Sequence, residues 1–185
     1  MSAHHFFGYG SLVHARTHSF TNVRPATLQG WRRAWRHTPH RDVAFLTAVR
    51  APGSAIRGVV ADVPADDWAA LDAREWAYAR VMVTESVSGA TPGGDIAVYA
   101  IAEGAHFAPT PAHPVLQSYL DTVLTGYEQV FGAAGLTHFL ETTDGWHAPV
   151  LQDRDNPRYP RAQPLSPHQA AHIDGLLDTV GITRI

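Results

Sequence analysis

Apolar and polar positions divide the chain into an early region of strands and a later region of helices. Short apolar runs bounded by turn residues predict strands. These runs are 4–9, 26–36, 43–50, 56–63, 80–87 and 95–101. Both faces of the run at 43–50 are apolar, which predicts a strand buried on both sides, as in a barrel or beneath helices. The Ala-Pro-Gly-Ser stretch at 51–54 predicts a break between two strands.

Two helices are predicted in the middle of the chain. Asp66 is a candidate N-cap for a short helix that ends near Glu75. Segment 114–131 repeats apolar residues at the i, i+4, i+7, i+8 spacing of an amphipathic helix. Its predicted apolar face consists of Leu116, Leu120, Val123, Leu124, Tyr127, Val130 and Phe131.

A third helix is predicted at the carboxyl end. Ser166 is a candidate N-cap, Pro167 suits the first helical turn, and Gln169 completes a capping box. Before it, residues 142–164 are rich in arginine and aromatic residues and have the character of a loop. Strands early and helices late predict one α+β domain over residues 1–185.

Composition narrows the function classes. The chain has 185 residues, 45% of them apolar and 17% charged, which fits a folded domain. Its formal charge of −3 argues against a general nucleic-acid partner. The sequence contains no long apolar run and begins without a basic and apolar leader, so we expect neither a membrane span nor a signal peptide. It indicates no oligomeric state.

Two residue types are absent. Without cysteine the chain has no thiol nucleophile and no disulfide, which favours a cytoplasmic location. All 14 basic residues are arginines, so Schiff-base chemistry and the lysine of a phosphate-binding P-loop are excluded.

The first candidate site follows the first strand, in the stretch FGYGSL. Gly8 and Gly10 match only part of a dinucleotide-binding motif, because Val13 stands where its third glycine belongs. Ser11 does not have the G-x-S-x-G spacing of a nucleophile elbow, because it lies in Gly10-Ser11-Leu12. The remaining interpretations are an ordinary strand end, or a turn whose backbone N–H groups bind a carboxylate or an oxyanion.

The second candidate site is Glu75, at the point where the short helix meets an apolar strand. A charged residue at a helix end is usually solvated. Packed among Trp76, Tyr78 and the strand, the same carboxyl would have a raised pKa and could act as a general base or acid. Both interpretations are open from local sequence alone.

Two further patterns favour structural roles. His168 and His172 lie one helical turn apart, but no third ligand accompanies them, so we expect surface histidines and no metal site. The basic and aromatic run at 30–41 suits phosphate contact, yet its alternation and the negative net charge favour a half-exposed strand.

Four stretches together resemble the gamma-glutamylcyclotransferase superfamily. They are FGYGSL, GWRRAWRH, RGVVADVP and LDAREWAYARVMV, in this order. Residues 6–87 are similar to its ChaC-like, glutathione-cleaving branch. The chain departs from that branch at Trp76-Ala77, where two glycines are frequent, and throughout 104–185.

The resemblance implies a small mixed β-barrel with flanking helices. It implies that Glu75 is the catalytic glutamate and that the loop binding the substrate consists of Tyr9, Gly10, Ser11 and Leu12. Tyr78 would line the pocket, and Arg80 would pair with a substrate carboxylate or form a structural ion pair.

The implied reaction releases 5-oxoproline from a gamma-glutamyl amide or peptide. The α-amine of the substrate attacks its own γ-carbonyl, so the enzyme requires no nucleophile, metal or organic cofactor. Two alternatives stay open: a non-catalytic domain of the same fold that binds a small carboxylate, and an enzyme that cleaves a different amide.

Overall fold

The computed structural model describes residues 4–39, 41–89 and 93–185. Within these residues, a mixed seven-stranded sheet curls into a half-barrel with helices on its flanks, which confirms the expected fold. Its strands are β1 (His5–Gly8), β2 (Thr21–Arg36), β3 (Phe45–Asp62), β4 (Ala79–Met82), β5 (Val87–Gly89), β6 (Ile96–Ala100) and β8 (Thr143–Asp144). A separate parallel pair consists of β7 (Val115–Leu116) and β9 (Val150–Leu151). The helices are α1 (Trp68–Arg74), α2 (Gln117–Phe131), α3 (Ala133–Glu141) and α4 (Pro167–Thr179).

Strand β1 lies in the middle of the sheet. It pairs antiparallel with β3 and parallel with β6, and its four residues are all buried. The sheet order is β4-β6-β1-β3-β2-β5, and β8 pairs with β2 outside this path. The loop that follows β1 therefore leaves from the interior of the sheet, where neighbouring strands can enclose a pocket.

The predicted break at 51–54 is wrong, because β3 runs through it. Gln29 pairs with Ala55 and Trp31 with Arg50, so residues 51–54 form a bulge in one continuous strand. Gly53 and Gly30 adopt positive φ angles of 84° and 79° on the two sides of the bulge. The Gly/Pro run thus bends the strand without ending it.

Two other predicted boundaries also differ. The predicted strand at 80–87 is interrupted after Met82 by a single 3-10 turn at Thr84–Ser86, and β5 continues from there to pair with β2.

Asp66 is not the cap of α1. It lies inside a 3-10 turn, Ala65–Asp67, and no side chain caps either this turn or α1. The capping box of Ser166 and Gln169 in α4 is confirmed.

Helix α2 is buried on its polar as well as its apolar side. Leu120 and Tyr127 belong to the core, as predicted. On the opposite side, the amide and hydroxyl groups of Ser118 donate to the Asp153 carboxylate over 2.8 and 2.6 Å. The long loop before α4 therefore covers the helix face that periodicity alone assigns to solvent. Helix α3, which packs against α2, has no counterpart among the predicted elements.

The basic run at 30–41 contains a fully buried arginine. Arg33, on β2, is 0% exposed and donates hydrogen bonds to the carbonyl of Arg57 and the hydroxyl of Tyr127, each over 3.0 Å. Its guanidinium also lies 4.6 Å from the ring centroid of Phe139. This strand is thus more deeply buried than predicted.

No helix in the described part of the chain is long and apolar enough to cross a membrane.

Candidate active site

The loop after β1 is shaped by two glycines that make close contacts. A Cβ atom on Gly8 would lie 2.8 Å from the Cβ of Leu12. One on Gly10 would lie 2.7 Å from the hydroxyl oxygen of Tyr119. Gly10 has φ −120° and ψ −132°, so the loop needs these glycines for close approach and not for a positive φ. Residues Ser11–Val13 then form a 3-10 turn packed against α2.

Helix α2 can approach this turn because of Gly126. A Cβ atom at that position would lie 2.8 Å from the backbone nitrogen of His14. The turn itself is closed by the amides of Val13 and His14, which donate over 3.0 Å to the carbonyls of Gly10 and Ser11. The loop is therefore held on the barrel side by β1 and on the helix side by α2.

Two tyrosines lie beside the loop, Tyr9 buried and Tyr78 partly buried. The Tyr9 hydroxyl donates to the carbonyl of Tyr99 over 2.6 Å, and the Tyr78 hydroxyl donates to the carbonyl of Leu46 over 3.0 Å. Burial raises the pKa of both phenols above the usual value, and the negative charge of the nearby Glu75 carboxyl raises it further. Both side chains are therefore neutral hydrogen-bond donors at neutral pH.

Glu75 caps the end of α1 and turns its side chain inward. Its amide donates to the carbonyl of Leu71 over 2.9 Å, and its own carbonyl accepts from the amide of Tyr78 over 2.8 Å. The side chain is 17% exposed, and one carboxylate oxygen lies 3.0 Å from Nε of Arg74. The solvated interpretation of Glu75 is therefore wrong.

Burial raises the pKa of the Glu75 carboxyl above its ordinary value. Arg74, Arg161 and Arg41 act in the opposite direction, since their positive charges favour the carboxylate. Desolvation is the larger effect, so the carboxyl keeps a proton to a higher pH than an exposed glutamate does.

Glu75 lines two neighbouring spaces. A cavity of about 210 Å³ opens between α1, β3 and the loop before α4. A smaller recess of about 40 Å³ lies against the loop after β1. Of the predicted site residues, the recess brings together Tyr9, Gly10, Ser11, Leu12, Glu75 and Tyr78.

Arg80 is not brought to this cavity. Its guanidinium donates to the Asp72 carboxylate over 3.1 Å and lies 4.6 Å from the centroid of the Trp68 ring. Asp72 also accepts a hydrogen bond of 2.5 Å from the Tyr99 hydroxyl. Of the two roles considered for Arg80, the structure supports the structural ion pair.

Several cavity residues were not predicted from the sequence. Arg41, Arg74 and Tyr119 line the cavity from positions far apart in the sequence. Tyr159 and Arg161 line it from the long loop, so this part of the loop closes one side of the cavity. The arginine-rich and aromatic composition of that segment was the available signal.

Trp76 and Ala77, which stand where the ChaC-like branch frequently has two glycines, lie at the cavity rim. Ala77 lines the cavity, whereas the Trp76 side chain is 57% exposed. The Arg41 guanidinium lies 4.9 Å from the centroid of a Trp76 ring and 4.8 Å from that of Phe45. The bulky residue therefore contacts an arginine of the rim and leaves the space beside Glu75 open.

The histidines of α4 are both exposed and lie outside the cavity. His168 and His172 belong to no group of three or more metal-ligating side chains, and the described residues contain no such group elsewhere. The cavity presents carboxyl, phenol and guanidinium groups.

Comparison with known proteins assigns the chain to a family. The sequence model described as gamma-glutamyl cyclotransferase, AIG2-like, matches residues 6–118. The chain belongs to this family. The matched region contains both the loop after β1 and Glu75. No curated protein matches the chain. The narrower resemblance to the ChaC-like branch stays a prediction.

Solved structures share the fold of this family member at low sequence identity. An uncharacterized protein from Homo sapiens is 15% identical with a TM-score of 0.59, covering 94% of this chain and 99% of that one. A protein described as gamma-glutamyl cyclotransferase is 16% identical with a TM-score of 0.55 and the same coverage. YkqA from Bacillus subtilis is 17% identical with a TM-score of 0.59, covering 78% of this chain and 57% of that one. These likenesses concern the fold alone.

Proposed function

We propose that this member of the AIG2-like gamma-glutamyl cyclotransferase family releases 5-oxoproline from a gamma-glutamyl amide or peptide. One observation carries the proposal: a largely buried carboxyl, that of Glu75, lines the same recess as the loop after β1. The recess and the adjoining cavity provide a site for a small molecule that is lined by both polar and apolar groups.

The proposed reaction is intramolecular. The α-nitrogen of the gamma-glutamyl group forms a bond to the γ-carbonyl carbon, and the bond from that carbon to the leaving amine breaks. Because both reacting groups belong to one molecule, holding the glutamyl chain in its folded, reactive conformation removes the entropic cost of reaching that conformation and lowers the barrier by several kcal/mol. A chain without cysteine or lysine suits this chemistry because the substrate supplies the nucleophile.

Glu75 is the proposed proton carrier. As a carboxylate it takes a proton from the α-ammonium group, and as an acid it returns that proton to the leaving amine. A glutamate at its ordinary pKa is a weak base, and burial strengthens it by raising the pKa. The phenols of Tyr9 and Tyr78 do not serve as the base at neutral pH, because their raised pKa values keep both hydroxyls protonated.

Anionic parts of the substrate would be bound by the loop and by the arginines. Backbone amides of residues 10–12 are the proposed donors to the α-carboxylate or to the oxyanion that forms at the γ-carbon. Arg41, Arg74 and Arg161 give the cavity positive charge that offsets the carboxyl of Glu75. An anionic substrate is attracted to such a site.

The test is the variant Glu75→Gln, which keeps the side-chain shape and removes the base. We expect 5-oxoproline release from the best substrate of a gamma-glutamyl panel, glutathione included, to fall by about 10²- to 10⁴-fold. Glu85→Gln is the matched control, because Glu85 is exposed and lies outside the cavity. Activity near wild type in Glu75→Gln would contradict the assignment. Binding without 5-oxoproline release across the whole panel would favour the non-catalytic alternative.

A further inference from the structure

A second cavity lies away from the proposed reaction centre. It has a volume of about 450 Å³ and opens between β3, β4 and the segment that follows β6. Within the described part of the chain, it shares no lining residue with the recess or the cavity beside Glu75. Ligand pockets in proteins have volumes of roughly 300–1,000 Å³, so this cavity has room for a small molecule.

Most of the wall of this second cavity is apolar. Alanines at positions 48 and 100, on β3 and at the end of β6, are 2% and 5% exposed and keep the wall free of bulky side chains. The space between them therefore suits a flat, apolar group. The apolar lining residues are Trp31, Ala48, Val49, Val81, Ala100, Ile101 and Ala102.

The segment that covers one side of this cavity, residues 101–107, is anchored at both ends. At its beginning, the amide of Ile101 donates to the hydroxyl of Thr47 on β3 over 2.9 Å. At its end, Phe107 and His37 exchange two backbone hydrogen bonds of 3.0 and 3.1 Å. The segment is thus held against β2 and β3, and the wall it forms is part of the fold.

The basic and aromatic run at 30–41 contributes an arginine to this cavity. Arg32 is paired with the Asp144 carboxylate at 2.7 Å, and Arg33 is buried among its hydrogen-bond partners. Arg36 lines the cavity and forms no ion pair with a carboxylate among the residues that the structure describes. Of the three arginines on β2 within this run, Arg36 is therefore the one without a close carboxylate.

The charge of Arg36 is partly offset by its surroundings. Burial and then the charge of Arg36 lower the pKa of His106, whereas the charge of Glu103 raises it. Both His106 and Glu103 line the cavity, and Glu103 is exposed. A negative charge thus accompanies Arg36, which weakens this end of the cavity as an anion site.

Arg50 is the second cation of the cavity wall. It stands opposite Trp31 in the pairing of β2 with β3, and its guanidinium lies 4.2 Å from the centroid of a Trp31 ring. A cation–π contact of this kind positions a charge without neutralising it. Arg50 forms no ion pair with any carboxylate among residues 4–39, 41–89 and 93–185. It is therefore a positioned cation beside an apolar space.

We propose that this cavity is a second ligand-binding site, for a small organic anion with a flat apolar body, such as an aromatic carboxylate. Arg50 binds the carboxylate, because a guanidinium donates strong hydrogen bonds to that group. The ring lies in the apolar space between β3 and the end of β6, where its surface is removed from water. Arg36 adds a weaker attraction. The site does not depend on the proposed reaction at Glu75.

The test compares two probes of nearly equal size, 1-naphthoate and the neutral 1-naphthamide, by calorimetric titration of the full chain. We expect the acid to bind about tenfold more tightly than the amide and to lose part of this preference at high salt. Arg50→Gln should weaken binding of the acid about fivefold and Arg36→Gln about twofold, with little change for the amide. Arg161→Gln is the matched control, because Arg161 is an exposed arginine of the cavity beside Glu75.

Equal affinities for the acid and the amide, or no binding of either at millimolar concentration, would overturn the proposal. So would an affinity for the acid that stays unchanged in both Arg50→Gln and Arg36→Gln. Weaker binding of the acid in Arg161→Gln alone would place the ligand in the cavity beside Glu75 and also contradict the proposal. Thermal unfolding of each variant checks that a lost affinity does not come from unfolded protein. None of these results depends on whether the chain releases 5-oxoproline.

Discussion

Arg74 and Glu75 are neighbours in sequence and partners in space, with Nε of the arginine 3.0 Å from a carboxylate oxygen of the glutamate. The same guanidinium donates to the carbonyl of Thr17 over 2.9 Å and to the hydroxyl of Ser11 over 3.4 Å. One side chain therefore links the carboxyl at the end of α1 to the loop that follows β1. Arg74 is a positioning residue in this arrangement.

Replacing Arg74 should change the pH dependence of catalysis as well as its rate. The positive charge of Arg74 lowers the pKa of Glu75 against the larger effect of burial. Arg74→Gln removes that charge, so the pKa rises further and the fraction of carboxylate at a given pH falls. We expect the acidic limb of the kcat/KM profile to move to higher pH, with about a tenfold loss of activity near neutrality.

A merely structural role for Arg74 would lower activity at every pH without moving that limb. Arg74→Lys, which keeps the positive charge, should hold the limb closer to its wild-type position. Thermal unfolding of the three proteins, measured alongside, separates a shift in pKa from a loss of folded protein.

Glu75 should also make the stability of the protein depend on pH. Its pKa is raised in the folded state, so the stabilising contribution of the protonated form is complete below the ordinary glutamate pKa. This contribution is lost as pH rises through the raised folded-state value. Glu75→Gln cannot ionise, and its free energy of unfolding relative to wild type should therefore increase as the pH rises from the ordinary glutamate pKa through the raised folded-state value.

Urea unfolding at a series of pH values measures this difference. Glu85→Gln is again the control, because an exposed carboxyl should show little such dependence. A difference between wild type and Glu75→Gln that stays constant over the whole range would contradict the buried, pKa-shifted carboxyl.

The contact between Gly10 and Tyr119 can be tested by a double-mutant cycle. Gly10→Ala places a Cβ atom 2.7 Å from the Tyr119 hydroxyl oxygen, which should displace the loop, cost about 1–2 kcal/mol of stability and lower activity. Tyr119→Phe removes that oxygen. In the double variant we expect a favourable coupling of about 1 kcal/mol.

The control is Gly175→Ala in α4, where an added Cβ atom meets no neighbour within 4 Å and alanine favours the helix. It should leave stability unchanged or slightly raised. Additive effects of the two changes at Gly10 and Tyr119 would show that the hydroxyl does not limit the residue at position 10.

Local sequence signals predicted the elements that local interactions determine. The capping box of Ser166 and Gln169 was predicted correctly because its two hydrogen bonds form within one turn. The break predicted at 51–54 was wrong, because pairing with β2 on both sides of the bulge keeps β3 one continuous strand. Arg33 shows the same limit: its burial depends on α3 and on residues 142–143, which its own strand pattern does not contain.

In the candidate site, too, residues in local motifs were predicted from the sequence and residues that only the fold brings together were not. The loop after β1 and Glu75 were found because their motifs resemble a known superfamily, and burial of Glu75 then distinguished between two interpretations that the sequence left open. The cavity positions of Arg41, Tyr119 and Arg161 were not found, because distant segments bring them together. The cavity contact of each follows from the packing of β3, α2 and the long loop.

The cavity wall comes from two parts of the chain with different relationships to the family. Glu75 and the loop after β1 lie inside the family-matched region 6–118, whereas Tyr159 and Arg161 lie some forty residues beyond its end. Under the proposed function, the acid–base residue and part of the cavity wall are thus encoded in separate stretches of the chain. A change of sequence in the later stretch would reshape the cavity without touching Glu75 or the loop, so a shared loop and glutamate do not by themselves imply a shared substrate.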